Sequence, residues 1–258
     1  MEEVNWEAVK RLQQAAVNVA AAKFAVLDNL LAKSDQLLSP LQDPLKLKFG
    51  LHRWMAGDRE EAYSDWLAWV LDEMASPERV GRLLYGDAVP PELLACKSCC
   101  ATDREVWVPT GHAGQAGRLD CVVRFGDEAV IVIEVKVVNA EAADTDKQAG
   151  YGEWLENTNA KFKSKILIAP DGDTAKEYKG FALFLWQDLC KRIRWLLPEL
   201  IGDGRIASAA LMAAFVGSVE QNILGLPSLA WVGTGSDSDL LAMAGQLDSV
   251  TAYLGSIL

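Results

Sequence analysis

The segment from Gly117 to Val138 reads GRLDCVVRFGDEAVIVIEVKVV and decides the fold. Two runs of strand-forming residues flank Gly126-Asp127-Glu128, a spacing typical of a hairpin with a three-residue loop. Charged side chains interrupt these apolar runs at Asp120, Glu134 and Lys136. Burying a carboxylate or an ammonium group is costly unless it is paired or bound to a metal. This segment is therefore the best candidate for a functional site.

Strand geometry predicts how these charges are arranged. Side chains alternate between the two faces of a strand, so Glu134 and Lys136 point the same way. If Phe125 pairs with Ala129 across the loop, Asp120 lies directly opposite Glu134. A register slip of one residue would separate the two carboxylates. We therefore predict two carboxylates and a lysine on one patch, near enough for the carboxylates to share a cation.

Such a patch suits a hard cation. Mg²⁺ takes oxygen ligands, keeps several waters, and is usually held by one or two carboxylates together with substrate phosphate. It polarises a phosphoryl oxygen and lowers the pKa of a bound water, while Lys136 could orient that water or offset negative charge. This interpretation points to phosphodiester hydrolysis. In the competing interpretation, Glu134 and Lys136 form a surface ion pair at a strand edge and contribute little.

These residues resemble the PD-(D/E)XK nuclease superfamily, whose core motif is an aspartate, a hairpin and then Glu-X-Lys. Asp120, Glu134, Val135 and Lys136 match the motif, and Arg118 belongs to a Gly-Arg-Leu-Asp lead-in found among bacterial members. Leucine stands where a proline often precedes the aspartate. The resemblance implies that the two carboxylates and the Val135 carbonyl bind Mg²⁺, or Mn²⁺ in its place, and that Lys136 positions or activates the attacking water.

Two flanking segments extend the resemblance. Residues 146 to 155 resemble the family's Gln-X-X-Tyr helix, in which Gln148 and Tyr151 share one face and Gln148 orients the water. Residues 59 to 72 resemble the family's first helix, where a glutamate supplies a further metal ligand. Spacing alone does not choose between Glu60 and Glu61, and we favour Glu60. The residues that we expect to contact the substrate are Arg118, Tyr151, Lys161 and Lys163.

Strands flanked by helices predict an α/β fold with a central mixed sheet, and the resemblance implies a restriction-endonuclease-like core. We divide the chain into an N-terminal helical extension (1–50), a nuclease core (51–200) and a C-terminal helical extension (201–258). We expect these parts to form one compact unit. The predicted strands are residues 105–109, the two hairpin strands, residues 165–169 and residues 182–186.

The chain has 258 residues, of which 50% are hydrophobic, enough for a substantial core. We expect no membrane-spanning segment, because the apolar run Ile206 to Val219 is too short. The beginning Met-Glu-Glu shows no secretory signal, so the cytoplasm is the expected location.

A cysteine cluster leaves a second metal hypothesis open. Cys96, Cys99 and Cys100 could begin a zinc site that His112 or Cys121 completes. The sequence contains no second Cys-X-X-Cys. We therefore interpret these cysteines as small apolar residues of a cytosolic protein.

The net charge of −11 is the main objection to a nucleic-acid enzyme, because it excludes a global positive field. Basic residues gather at 161–165, at Lys176 and Lys179, and at 191–194, whereas none follows Ile206. Two options remain. Either the chain binds DNA weakly and acts only in an assembly, or a partner protein delivers the nucleic acid.

Our leading hypothesis is a Mg²⁺-dependent DNA endonuclease similar to bacterial restriction and defence nucleases, with an antiphage role. RNA as the substrate stays open. The alternative is a conditionally silent or noncatalytic subunit with a nuclease fold that binds a partner protein. Apolar positions in the first and last predicted helices fit either a homodimer interface or packing onto the domain's own sheet.

Overall fold

The computed structural model describes residues 5–47, 59–109, 116–138, 145–173, 178, 180–229 and 237–258. His112, Lys176 and Lys179 lie outside these residues. The helices are α1 (Trp6–Leu37), α2 (Glu60–Met74), α3 (Pro77–Tyr85), α4 (Pro91–Leu94), α5 (Thr145–Glu156), α6 (Trp186–Gly202), α7 (Ile206–Asn222) and α8 (Asp237–Gly255), with a short 3-10 helix at Pro44–Lys46. The strands are β1 (Ala101–Pro109), β2 (Ala116–Phe125), β3 (Ala129–Val135), β4 (Phe162–Ala169) and β5 (Ala182–Leu185).

The strands form one five-stranded sheet in the order β1-β2-β3-β4-β5. The first two pairings are antiparallel and the last two are parallel. The prediction of an α/β fold with a central mixed sheet is therefore confirmed. The first strand starts four residues before its predicted beginning at Glu105, since Ala101 already pairs with Arg124.

The hairpin register matches the prediction. Phe125 pairs with Ala129, and the pairing continues as far as Cys121 and Ile133. The next position on each strand holds Asp120 and Glu134, so the register brings the two carboxylates to one end of the hairpin.

Helices cover both faces of the sheet because the central strand is apolar on both sides. Every residue of β3 is buried. Ile131, Ile133 and Val135 belong to a large core that extends from α1 to α8. Val130 and Val132 pack on the other face against α5. A strand buried on both faces reads as a continuous hydrophobic run, and this is why charges at its end are conspicuous.

The last predicted basic cluster, at residues 191–194, is largely structural. Arg194 is 4% exposed and lies between Asp43 and Glu220, both of which are 0% exposed. Its guanidinium donates to both carboxylates over 2.7 to 3.2 Å. Arg192 lies over the ring of Phe184, 4.6 Å from its centre. We therefore remove these two arginines from the candidate nucleic-acid surface.

The first helix bears on the expectation that no segment spans a membrane. By length and hydropathy, α1 is long and apolar enough to cross a membrane. It is the one helix of this kind among the described residues. Core helices of soluble proteins and signal sequences pass the same test. Phe24, Leu27 and Leu31 of α1 are buried in the main core, and Lys23 forms an ion pair with Asp248 of α8.

Candidate active site

The candidate site lies at the carboxyl end of β3, where Lys136 leaves the strand. The backbone of Lys136 is held on two sides. Its N–H donates to the carbonyl of Ile168 over 2.8 Å, and its carbonyl accepts from Trp186 Nε1 over 2.8 Å. Trp186 is fully buried, so Lys136 starts from a rigid position.

Three oxygen atoms surround the Lys136 ammonium group. Its Nζ lies 2.7 Å from Glu60 Oε1, 3.1 Å from Glu134 Oε1 and 2.9 Å from the Val135 carbonyl oxygen. Glu60 comes from α2, so the site joins this helix to the hairpin. Glu61 is exposed. The structure thus brings Glu60, and not Glu61, to the lysine.

Asp120 completes the group from the neighbouring strand. The Val135 N–H donates to Asp120 Oδ2 over 2.8 Å, which fixes this carboxylate at the end of β3. Glu134 is 9% exposed, and its Oε2 atom has no hydrogen-bond partner among the described residues. A buried carboxylate oxygen without a partner is costly, and it is the kind of atom that a bound cation would satisfy.

Burial shifts the pKa values of both carboxyl groups. Burial raises the pKa of Asp120 from 3.8 to about 6, although the Lys136 charge opposes it. Burial and the charge of Asp120 raise the pKa of Glu134 from 4.5 to about 7. Burial alone would lower the pKa of Lys136, but the charges of Glu134, Asp120 and Glu60 outweigh it and raise the pKa. One ammonium group therefore only partly offsets the negative charge collected here.

This electrostatic imbalance predicts that Asp120→Asn stabilises the metal-free protein. A carboxyl group whose pKa is raised by folding stabilises the fold below its unfolded pKa, and this contribution is lost as the pH rises through about 6. We expect the substitution to raise the free energy of unfolding in EDTA by about 1–3 kcal/mol at pH 8 and by little near pH 4. Urea unfolding at both pH values measures the difference. An equal effect at the two pH values would contradict the assignment.

The Gln-X-X-Tyr segment lies on α5 as expected. Gln148 is 7% exposed and Tyr151 is 5% exposed. The Tyr151 hydroxyl donates to the Arg118 carbonyl over 3.0 Å, and so ties α5 to β2 close to Asp120. Burial raises the pKa of Tyr151, and the charges of Glu134 and Asp120 raise it further. The Arg118 side chain is 44% exposed and lies 3.4 Å from the Glu105 carboxylate.

The two lysines predicted to contact substrate lie at the other end of the sheet. Phe162, between Lys161 and Lys163, pairs with Ala129 at the start of β3. At about 3.3 Å per residue, this is roughly 17 Å along the strand from Glu134. Lys163 Nζ also donates to the Glu156 carbonyl over 2.5 Å, so it closes the end of α5. The structure does not bring these two lysines to the carboxylates.

Two residues that the sequence analysis did not select lie near the site. Tyr178 is 8% exposed and packs with Leu167, the strand neighbour of Glu134. Burial raises its pKa to about 12, and the charges around Lys136 also act on it. Arg104 of β1 is near enough to Asp120 to lower that carboxyl's pKa. No motif marks either residue, because each reaches the site only through the folded sheet.

The cysteine cluster does not form a site within the described part of the chain. Cys96, Cys99 and Cys100 are free thiols, and burial raises the pKa of Cys100 to about 12. Across the described ranges, no three His, Cys, Asp or Glu side chains are grouped closely enough to hold a metal by themselves. At the candidate site, the ammonium of Lys136 bridges Glu60 and Glu134.

Comparisons with protein-family models, with curated proteins and with solved structures found no match to this chain.

Proposed function

We propose that this protein is a metal-dependent nuclease that hydrolyses phosphodiester bonds in DNA. The convergence of Glu60, Asp120, Glu134 and Lys136 at one end of the sheet carries the proposal. These residues come from a helix and two strands in the order that the PD-(D/E)XK resemblance implies. We also propose that the mixed sheet with α2 and α5 is a restriction-endonuclease-like core.

The donor chemistry of these residues fits a hard divalent cation, but in this structure the ammonium group of Lys136 lies between the Glu60 and Glu134 carboxylates. The donor set consists of the carboxylates of Glu60, Asp120 and Glu134 and the carbonyl of Val135, and oxygen donors of this kind are the ligands of Mg²⁺ and Mn²⁺. Glu134 Oε2, which has no hydrogen-bond partner in the described structure, is a free donor atom in this set. Because Lys136 contacts the oxygens of Glu60, Glu134 and Val135, a cation would compete with the ammonium group for them.

The chain's own residues supply the rest of the chemistry. A bound cation would polarise the phosphoryl oxygen and lower the pKa of a bound water. Lys136 remains positively charged beside three carboxylates, so it is suited to hold the attacking water and to offset charge that develops on phosphate. Gln148, from the adjacent face of α5, is the candidate for orienting the same water.

A second candidate function is a subunit that binds a partner protein. Two observations favour it. The net charge is −11, and Trp6 and Leu12 near the start of α1 are 68% and 72% exposed. A negatively charged chain gains little from the phosphate backbone, whereas exposed apolar residues suit a protein partner. In this case a partner would deliver the nucleic acid. An antiphage role rests on the resemblance alone and needs a phage-challenge assay of its own. The cytoplasmic location expected from the sequence is likewise part of this proposal.

The test is a matrix of substrates and cations. We expect the purified full-length chain to cut supercoiled DNA in Mg²⁺ or Mn²⁺ and to lose this activity in EDTA, because the carboxylates need a cation to activate water. Supercoiled DNA, linear DNA, single-stranded DNA and RNA are incubated separately, and products are separated on gels. Cutting that persists in EDTA would contradict the metal assignment. Absence of cutting with all four substrates would favour the partner-binding subunit.

A further inference from the structure

The first turn of α2 carries Glu60 but has little support of its own. Arg59 occupies the N-cap position and makes no capping hydrogen bond through its side chain. The first N–H groups of a helix need such partners, and an uncapped first turn frays. Something else must hold Glu60 2.7 Å from Lys136.

A chain of hydrogen bonds starting at Arg104 provides this support. Arg104 Nη2 donates to Ser64 Oγ over 2.8 Å. Ser64 Oγ in turn lies 3.0 Å from the carbonyl oxygen of Glu60 and 3.1 Å from that of Glu61. Arg104 Nη1 also pairs with Asp65. One guanidinium on β1 therefore binds α2 at two adjacent residues of its second turn, and the Ser64 hydroxyl connects it to the first turn.

Arg104 also lies beside the strand that carries Asp120. It pairs with Cys121 across β1 and β2, and Cys121 directly follows Asp120. Its side chain is 19% exposed, and its Nε atom is buried without a hydrogen-bond partner within the described ranges. The positive charge lowers the pKa of Asp120, against the effect of burial. Arg104 thus contacts the elements that carry Glu60 and Asp120.

The backbone next to Arg104 is strained. Glu105 has a φ of 52°, which is unfavourable for a residue with a Cβ atom. It lies opposite Asp120, between the pairs Arg104 with Cys121 and Val106 with Leu119. Strain of this kind persists only where the surroundings hold it in place.

We propose that Arg104 is a positioning residue of the cation site, which sets the Glu60 carboxylate relative to Asp120 by holding the first turn of α2 through Ser64 and Asp65. This inference rests on the proposed function. Arg104 is assigned no contact with substrate or cation, and its effect passes through Glu60.

Manganese binding tests the proposal without relying on catalysis. Free Mn²⁺ is titrated into the full-length protein and followed by electron paramagnetic resonance. We expect Arg104→Met to weaken Mn²⁺ binding by about 10-fold or more, in the range found when residues that orient metal ligands are removed. Ser64→Ala breaks the same link without removing the buried charge, and we expect a loss in the same direction. If Arg104→Met does not fold, Ser64→Ala carries the test.

Arg124→Met is the matched control. Arg124 also lies on this sheet and pairs with a carboxylate, Asp103, over 2.9 Å, but on the β1–β2 surface away from α2. We expect its substitution to leave Mn²⁺ affinity unchanged.

A double substitution separates positioning from a general structural role. If Arg104 acts through Glu60, adding Arg104→Met to Glu60→Gln causes no further loss of Mn²⁺ affinity. Additive losses overturn the inference, and so does wild-type affinity in both Arg104→Met and Ser64→Ala. A wild-type protein that binds no Mn²⁺ overturns the proposed function as well, so the two failures are distinguishable.

Discussion

We expect Lys136→Met to reduce phosphodiester cleavage by about 10²- to 10³-fold, the loss found when one preorganised cationic or hydrogen-bond donor is removed from a site of developing charge. The backbone of Lys136 is fixed by Ile168 and Trp186, and methionine keeps the apolar stem. The substitution therefore removes the ammonium group and leaves the strand in place. The initial rate of plasmid nicking at saturating Mg²⁺ measures the effect.

We also expect Lys136→Met to change the stability of the protein. Without the ammonium group, Glu60 and Glu134 face each other uncompensated, and we expect the metal-free protein to lose about 1–3 kcal/mol of unfolding free energy at pH 8. A cation at these oxygens would restore the balance, so added Mg²⁺ should raise the unfolding temperature of Lys136→Met more than that of the wild type.

Lys46→Met is the control for both measurements. Lys46 is also a partly buried lysine paired with a carboxylate, that of Asp35, but it follows α1 and does not contact the site. Its substitution should leave cleavage unchanged. Wild-type cutting by Lys136→Met would show that the lysine has no part in the chemistry, and the assignment of this site as the nuclease centre would then fail.

The largest loss of stability is expected from Arg194→Met. Arg194 is the cation of a fully buried group, and Asp43 and Glu220 are both 0% exposed. Ser34 and Tyr253 also donate to these carboxylates, each over 2.5 Å. Removing one partner of a buried ion pair leaves charge without compensation and costs about 3–5 kcal/mol. Such a loss is a large share of the total stability of a domain.

Two comparisons make this prediction specific. Arg82 forms a bidentate pair with Glu199, but both side chains are 39% exposed. Arg82→Met should therefore lower the free energy of unfolding by at most about 1 kcal/mol. The triple variant Asp43→Asn, Arg194→Met, Glu220→Gln removes all three charges and should recover much of the stability. Urea unfolding of the three proteins gives the comparison. Equal losses in Arg194→Met and Arg82→Met would show that burial does not govern the effect.

The hairpin could be predicted from the sequence because local rules determine it. Side chains alternate along a strand, and a loop of three residues leaves one register that keeps the apolar faces buried. These rules predict Asp120 beside Glu134, with Lys136 on the same side, and they need no tertiary contact. The α/β class followed in the same way from apolar runs of strand length separated by helical patterns.

Other assignments depended on contacts between residues far apart in the chain. The choice of Glu60 over Glu61 depends on the rotation of α2 against the sheet, and one residue changes the direction of a helical side chain by about 100°. Lys163 lies in β4, but a sequence pattern does not say which end of a strand lies near a site. The sequence groups Arg194 with other basic residues, as in a surface cluster. In the structure this side chain is buried.

The sequence by itself therefore determined the sheet's central hairpin and the identity of the three charged residues at its end, since both follow from periodicity and from the cost of burying charge. Tertiary structure alone decided that Glu60 reaches Lys136, that Arg104 contacts Ser64 in the helix carrying Glu60, and that Arg194 pairs with two buried acids. The physical reason is that these contacts join residues 40 to 151 positions apart. Only the packing of helices onto the sheet brings such residues together.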